Sequence, residues 1–384
     1  MKRFLFLSLF ILPFLSMAQV EFSTKSTWEE IRNNAANTGK FIFIDAYTDW
    51  CGWCKVMDKN TFSQPTVAEM MNDNFVNYKI EMEKEELGKM LAMKYGIRSF
   101  PSFIILNKKG ELHAILGGYS PPEEWMKSLE ETLNKETPER LAISNTLEVK
   151  WPSLYSNYFG YKIEKRSAPS ASELDAYFYE NQSLDEVYFR MTMTFMSSLP
   201  SKTGNDLLSR GEEMTKLFGR DLAEEWKKNW LTRNLSASKI KGMSLDELNA
   251  ELQSYEEYYP EDTQTRIYTT LNFQLIKEDY PAAVEWVNEH EPVLGNGTLN
   301  RVSWNLYEKS DDQLLLQTAN RWMKKVVDSE PTYSYLDTQA ALLYKTNDNT
   351  KAAEVAKQAI RVGKEAGENV AETEALLEKI QSAQ

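Results

Sequence analysis

Between residues 19 and 136 the apolar positions switch repeatedly between helical spacing and short continuous runs. Trp28 to Asn37 reads as a helix. Lys40-Phe41-Ile42-Phe43-Ile44-Asp45-Ala46 follows, an almost unbroken apolar run of strand length after Gly39, which fits a central strand buried on both faces. From Cys54 through Met57 and Asp58 a helix begins, and it pauses near Ser63-Gln64-Pro65. Phe75 to Met82 is a second strand. Glu85 to Tyr95 is a helix whose apolar side is Leu87, Met90, Leu91 and Met93. Phe103 to Leu106, the turn Asn107-Lys108-Lys109-Gly110 and Glu111 to Leu116 predict a hairpin, and Pro122 to Leu133 a last helix. Strands that alternate with helices and close in a hairpin predict an α/β fold, a mixed sheet covered by helices.

From Lys135 onward the strand pattern stops and the segments become amphipathic at helical spacing, rich in Glu, Lys, Leu, Tyr and Trp. Thr137-Pro138 marks the junction, and loops fall at Lys165 to Ser172 and Pro200 to Asn205. Near the end, Trp304-Asn305-Leu306-Tyr307 aligns with Ala341-Leu342-Leu343-Tyr344 at an offset of 37 residues. Ala340, Ala341, Ala352, Ala353, Ala356 and Ala359 supply small residues where paired helices would touch, so this stretch resembles a tetratricopeptide array, with its period of about 34. Trp226, Trp230, Trp286, Trp304 and Trp322 read as core packing. The expected domains are residues 1–18, 19–136, a helical region over 137–240 and a tetratricopeptide-like region over 241–384.

The first 18 residues belong to none of these patterns. Lys2 and Arg3, the apolar run Phe4 to Leu15 and Ser16-Met17-Ala18 have the layout of a cleavable signal peptide, and the run is short for a membrane span. The mature chain is therefore expected to be exported and soluble, not membrane-spanning. The formal charge of −13 becomes −15 once Lys2 and Arg3, two positive charges, are removed. That acidity argues against nucleic acid as a partner. Apolar residues make up 42% of the chain, enough to build cores without a disulfide framework.

The chain holds only two cysteines, Cys51 and Cys54, directly after the first apolar run. Two thiols at this spacing can close a small disulfide, and a helix starting there favours the thiolate of the first through its unpaired N–H groups and dipole. Cys51 is thus the expected exposed attacker, and Cys54, one turn inside, the buried resolving thiol. A static disulfide or half of a metal site are the plainer readings. For metal, only His113 and His290 could add imidazole ligands, and neither has a ligand-like spacing.

Trp50-Cys51-Gly52-Trp53-Cys54-Lys55, together with Tyr95-Gly96-Ile97-Arg98-Ser99-Phe100-Pro101-Ser102-Phe103, resembles the thioredoxin superfamily. The likeness is closer to the thioredoxin-like domains of exported thiol-disulfide interchange proteins, because of Lys55 to Val67 with its Thr61-Phe62-Ser63-Gln64-Pro65, and it covers about 100 residues. It implies that Pro101 is a cis-proline lying against Cys51 and Cys54, that Asp45 is a buried proton relay and that Lys79 is its partner. Trp50, Gly52, Trp53 and Phe100 would support the pair. It implies no cofactor beyond the redox-active disulfide; the partners would be protein clients with thiols or disulfides and a thiol-disulfide electron donor or acceptor. Gly52-Trp53 stands where thioredoxin has Gly-Pro, which leaves the direction of electron flow open, with a lean toward reduction. A helical-repeat binding protein or holdase with a redox-sensing domain is the competing expectation, and a zinc-binding module a third.

Overall fold

The computed structural model describes residues 19–160, 162 and 165–382; the expected signal peptide lies outside the described residues. The chain forms two compact units, one running to Trp230 and the other starting at Leu231.

In the first unit, α1 (Trp28–Thr38) starts at a capping box: Thr27 Oγ1 accepts from the Glu30 N–H while the Glu30 carboxylate accepts from the Thr27 N–H. It stops at Gly39, whose φ of 74° only glycine adopts readily. The strands are β1 (Phe41–Tyr47), β2 (Phe75–Glu81), β3 (Ser102–Leu106) and β4 (Leu112–Gly117), in the order β2-β1-β3-β4. β1 pairs parallel with β2 and antiparallel with β3, and β4 closes the hairpin. Between β1 and β2 run α2 (Gly52–Met57), a π-helical turn (Asp58–Phe62) and α3 (Pro65–Asn74); α4 (Glu86–Tyr95) joins β2 to β3 and α5 (Pro122–Leu133) follows β4.

Alternation along β1 sorts its side chains between two cores. Ile42, Ile44 and Ala46 pack with Ile31 and Ala35 of α1 and Leu91 and Ala92 of α4. Phe43 packs on the other face with Met57, Phe62, Phe103 and Trp125, with the Phe103 and Trp125 rings 4.7 Å apart. Asp45 is in phase with Phe43, so strand geometry alone turns it to the face covered by the cysteine helix.

The remaining helices of this unit are α6 (Ser153–Gly160), α7 (Ala171–Glu180), α8 (Glu186–Thr194), α9 (Ser201–Ser209), α10 (Gly211–Phe218) and α11 (Arg220–Thr232). Their apolar faces continue the core of α1 and α4 as far as Trp226 and Trp230. Polar bonds join the same surfaces. Lys94 of α4 forms a buried ion pair with Glu186 of α8, 2.6 Å apart, and Ser144 Oγ donates to the same carboxylate. The Tyr155 hydroxyl donates to the Met93 carbonyl over 2.7 Å.

The second unit is all helical: α12 (Ala237–Ile240), α13 (Leu245–Glu256), α14 (Thr263–Ile276), α15 (Tyr280–His290), α16 (Asn296–Lys309), α17 (Gln313–Ser329), α18 (Tyr333–Lys345), α19 (Asn349–Ala366) and α20 (Ala371–Ser382). The 37-residue offset read from the sequence carries α16 onto α18, since Trp304 and Ala341 occupy them. Ala340, Ala352, Ala353 and Ala356 form one buried cluster, and small side chains of this kind allow close helix approach. Trp322 is buried and its Nε1 donates to Asn288 Oδ1 over 3.1 Å, whereas Trp286 and Trp304 are only partly covered.

Candidate active site

The turn between β1 and α2 places both cysteines. Cys51 is the N-cap of α2, with extended backbone angles, and its Sγ accepts the Cys54 N–H over 3.0 Å. The sulfur thus takes the position of a capping oxygen, one of the four N–H groups left free at a helix start finds a partner, and negative charge there is favoured. Cys51 and Cys54 are joined as a disulfide with their Cα atoms 5.3 Å apart. The sequence predicts an exposed first cysteine and a buried second. In the disulfide form the two are equally covered, at 3% and 4% exposure. The expected difference in exposure is absent from this oxidised pair.

Aromatic side chains flank the pair. Trp50 is half exposed; its Nε1 donates to Glu83 Oε2 over 2.8 Å and its ring meets Phe100 edge-on, with centroids 5.9 Å apart. Trp53, 61% exposed, stacks on Tyr119 at 5.5 Å. Gly52 has open space where a Cβ would be, so packing does not demand glycine there. The Phe100–Pro101 peptide bond is cis, Pro101 is buried, and its carbonyl accepts the Gly118 N–H over 2.9 Å.

Beneath α2, the parallel register sets Asp45 of β1 beside Lys79 of β2, and their side chains form an ion pair of 2.7 Å between Oδ2 and Nζ. Asp45 is buried and its Oδ1 has no hydrogen-bond partner. Burial raises the Asp45 carboxyl to about 6; Lys79 opposes that rise and the nearby charge of Asp58 adds to it. Lys79 Nζ also lies 2.5 Å from Asp58 Oδ1 and 5.0 Å from the Tyr47 ring centroid. Burial pulls the Lys79 ammonium down, but the two carboxylates outweigh it and hold it above its ordinary value. The result is a buried carboxyl that exchanges its proton near neutrality beside a lysine that stays charged.

The structure therefore brings together Cys51 with Cys54, Asp45 with Lys79, and Trp50 with Phe100. Sequence reasoning missed Asp58, Glu83 and Tyr119. Asp58 had a usable signal, since it lies four residues after Cys54 and so on the same side of the chain. Tyr119 and Glu83 come from loops, where spacing carries no information about contact.

Among the described residues, no group of three or more His, Cys, Asp or Glu side chains is arranged to hold a metal ion. The His113 ring is engaged on both sides, by Thr137 Oγ1 at 2.9 Å and the Thr132 carbonyl at 2.8 Å. His290 Nδ1 lies 2.8 Å from the Trp286 carbonyl.

A sheet of this order with a Cys-x-x-Cys pair capping the helix after its central strand defines a thioredoxin-like disulfide oxidoreductase fold. Comparison with known proteins agrees: residues 28–133 match the family model described as a thioredoxin-like domain. A thioredoxin H-type of Fagopyrum esculentum is 30% identical over 96 residues, which are 24% of this chain and 75% of that protein. The chain belongs to the thioredoxin-like family through this segment. The thiol:disulfide interchange protein DsbD of Photorhabdus laumondii is 27% identical over 97 residues, 25% of this chain and 17% of that protein. An uncharacterized Caenorhabditis elegans protein is 32% identical over 102 residues, so the chain spans about one seventh (14%) of its length. Among solved structures, a Bacteroides thetaiotaomicron protein is 33% identical, covering 31% of this chain and 97% of that one, with a TM-score of 0.29.

Proposed function

We propose that the protein is an exported thiol-disulfide oxidoreductase that reduces disulfides of protein clients. The observation that carries this reading is the buried Asp45 carboxyl, with an unpartnered oxygen and a proton affinity raised to about 6, on the strand that leads into a cysteine pair whose first sulfur caps a helix. A static disulfide needs no such acid.

In this reading the Cys51 thiolate attacks one sulfur of a client disulfide. A mixed disulfide forms and the other client sulfur leaves as a thiolate. Asp45 accepts the Cys54 proton, and the Cys54 thiolate then attacks Cys51 Sγ, which releases the client reduced by two electrons and leaves Cys51–Cys54 oxidised. A thiol-disulfide partner must supply two electrons to reset the pair. Pro101, Phe100, Trp50, Gly52 and Trp53 shape the surface the client meets, with Lys79 poising Asp45. The reducing direction is supported by similarity to proteins named as interchange proteins, and export by the amino-terminal apolar segment. The helices from residue 137 onward, tetratricopeptide-like from 241, would hold or select the client.

Cys51→Ser is expected to abolish reduction of a model disulfide such as insulin, and Cys54→Ser to accumulate mixed disulfides that non-reducing gels resolve. Full activity of Cys51→Ser would sink the reading. A Cys51/Cys54 potential near the −270 mV typical of thioredoxin supports a reductase, and one near −120 mV an oxidase. Client capture that persists unchanged without either cysteine would favour the binding scaffold.

A further inference from the structure

Away from the cysteine pair, the first unit contains a cavity of about 770 Å³, within the range of roughly 300–1,000 Å³ usual for ligand sites. All six residues of β4 line it, and it extends from the segment before Pro101 to α8 and α11. Among the described residues β4 is the last strand of the sheet, with β3 as its sole neighbour. An edge strand carries a row of backbone donors and acceptors able to pair with an added chain. At its start, β4 is partly capped, because Arg140 Nη1 donates to the Leu112 carbonyl. Farther along, Ile115 is 38% exposed, an apolar side chain open on the cavity wall.

Charge on the opposite wall is unbalanced. Arg190 of α8 is only 3% exposed, yet its Nε and Nη2 have no hydrogen-bond partner, and Nη1 would lie 3.9 Å from a Cβ added at Gly96, another cavity residue. A guanidinium is always charged, and burying it without acceptors costs several kcal/mol, so a missing partner is implied. The neighbouring cations are already occupied: Arg140 is 2.6 Å from Asp221, and Arg98 donates to the Thr194 carbonyl over 2.8 Å. Glu225 shares the wall; burial raises its pKa and the charge of Arg190 opposes that rise, but no hydrogen bond joins its carboxylate to the two orphaned Arg190 nitrogens. The two orphaned nitrogens of Arg190 share one edge of the guanidinium fork, whose spacing matches the two oxygens of a carboxylate.

We propose that this cavity binds an extended acidic peptide segment, whose backbone pairs with the free edge of β4 and whose carboxylate side chain engages Arg190. The site does not depend on the cysteine chemistry. The test is fluorescence polarisation of the full chain with a labelled, cysteine-free heptapeptide alternating valine and glutamate. Saturable binding is expected, weakened at least tenfold by Arg190→Gln, unchanged in Cys51→Ser/Cys54→Ser, and lost when lysine replaces glutamate in the peptide. Ile115→Glu, at an exposed position that does not risk the core, should weaken it at least tenfold as well, and decides the matter should Arg190→Gln fail to fold. Absence of saturation at millimolar peptide, or unchanged affinity in both variants, would overturn the proposal. So would displacement by succinate at concentrations equal to those of the peptide, which would make the cavity a site for small dicarboxylates.

Discussion

Replacing Asp45 with asparagine tests the electrostatics of the site without touching the cysteines. The Asp45 carboxyl is raised from 3.8 to about 6, mainly by burial. The folded state therefore holds the proton more tightly than the unfolded chain, so stability from this group is fully present below about pH 4 and is lost as pH rises through about 6. With 1.36 kcal/mol for each pH unit of the gap, the ionised carboxylate costs the folded state about 1 kcal/mol at pH 4, about 2 at pH 5 and about 3 at pH 7. The asparagine amide does not titrate, so the oxidised Asp45→Asn protein should gain on the wild type by about 2 kcal/mol between pH 4 and pH 7. Imperfect packing of the amide adds an offset that is constant in pH and leaves this difference intact. The measurement is a urea titration of each oxidised full-length protein at pH 4, 5 and 7, read by a brief deuterium pulse on peptides covering β1 and β3, so that the second unit does not obscure the transition. A gap independent of pH, or one that narrows toward pH 7, would refute the reasoning.

Lys79 and Asp58 should move the Asp45 titration in opposite directions: Lys79→Met raises it because an opposing charge is lost, and Asp58→Asn lowers it because a like charge is lost. Carboxyl carbon chemical shifts followed against pH report both, with a change of sign in either variant as the adverse result. Lys94→Met should destabilise the first unit by about 3–5 kcal/mol, since Glu186 would remain buried without its cation. Adding Glu186→Gln, which can still accept from Ser144, should restore most of that loss in urea midpoints. A cost below about 1 kcal/mol for Lys94→Met alone would show that the pair is solvated.

Local regularity explains what was legible in the chain. The apolar run at Phe41 to Ala46 could only be a buried strand, and the expected helix Trp28 to Asn37 appears as Trp28–Thr38 because Thr27, Glu30 and Gly39 mark its ends within a few residues. The hairpin around Asn107 to Gly110 was similarly self-contained. The pairing of Asp45 with Lys79 was reached only through family resemblance, since 34 residues separate them and nothing but strand register brings them side by side. Asp58 escaped notice because its importance lies in a lysine on a different strand.

The sequence by itself determined most of the helices and strands between residues 19 and 136 (though not the helix Pro65–Asn74), the position of the cysteine pair at a helix start and the predominantly helical character of the rest. These follow from short-range rules of periodicity, capping and turn chemistry. Only the tertiary structure decided that Lys79 is shared between Asp45 and Asp58, that Tyr119 lies under Trp53, and that Arg190 is buried beside an open strand edge without an acceptor. Each of these depends on the distance and dielectric between groups far apart in the chain, and burial, which sets the strength of every charge, exists only once the chain has packed.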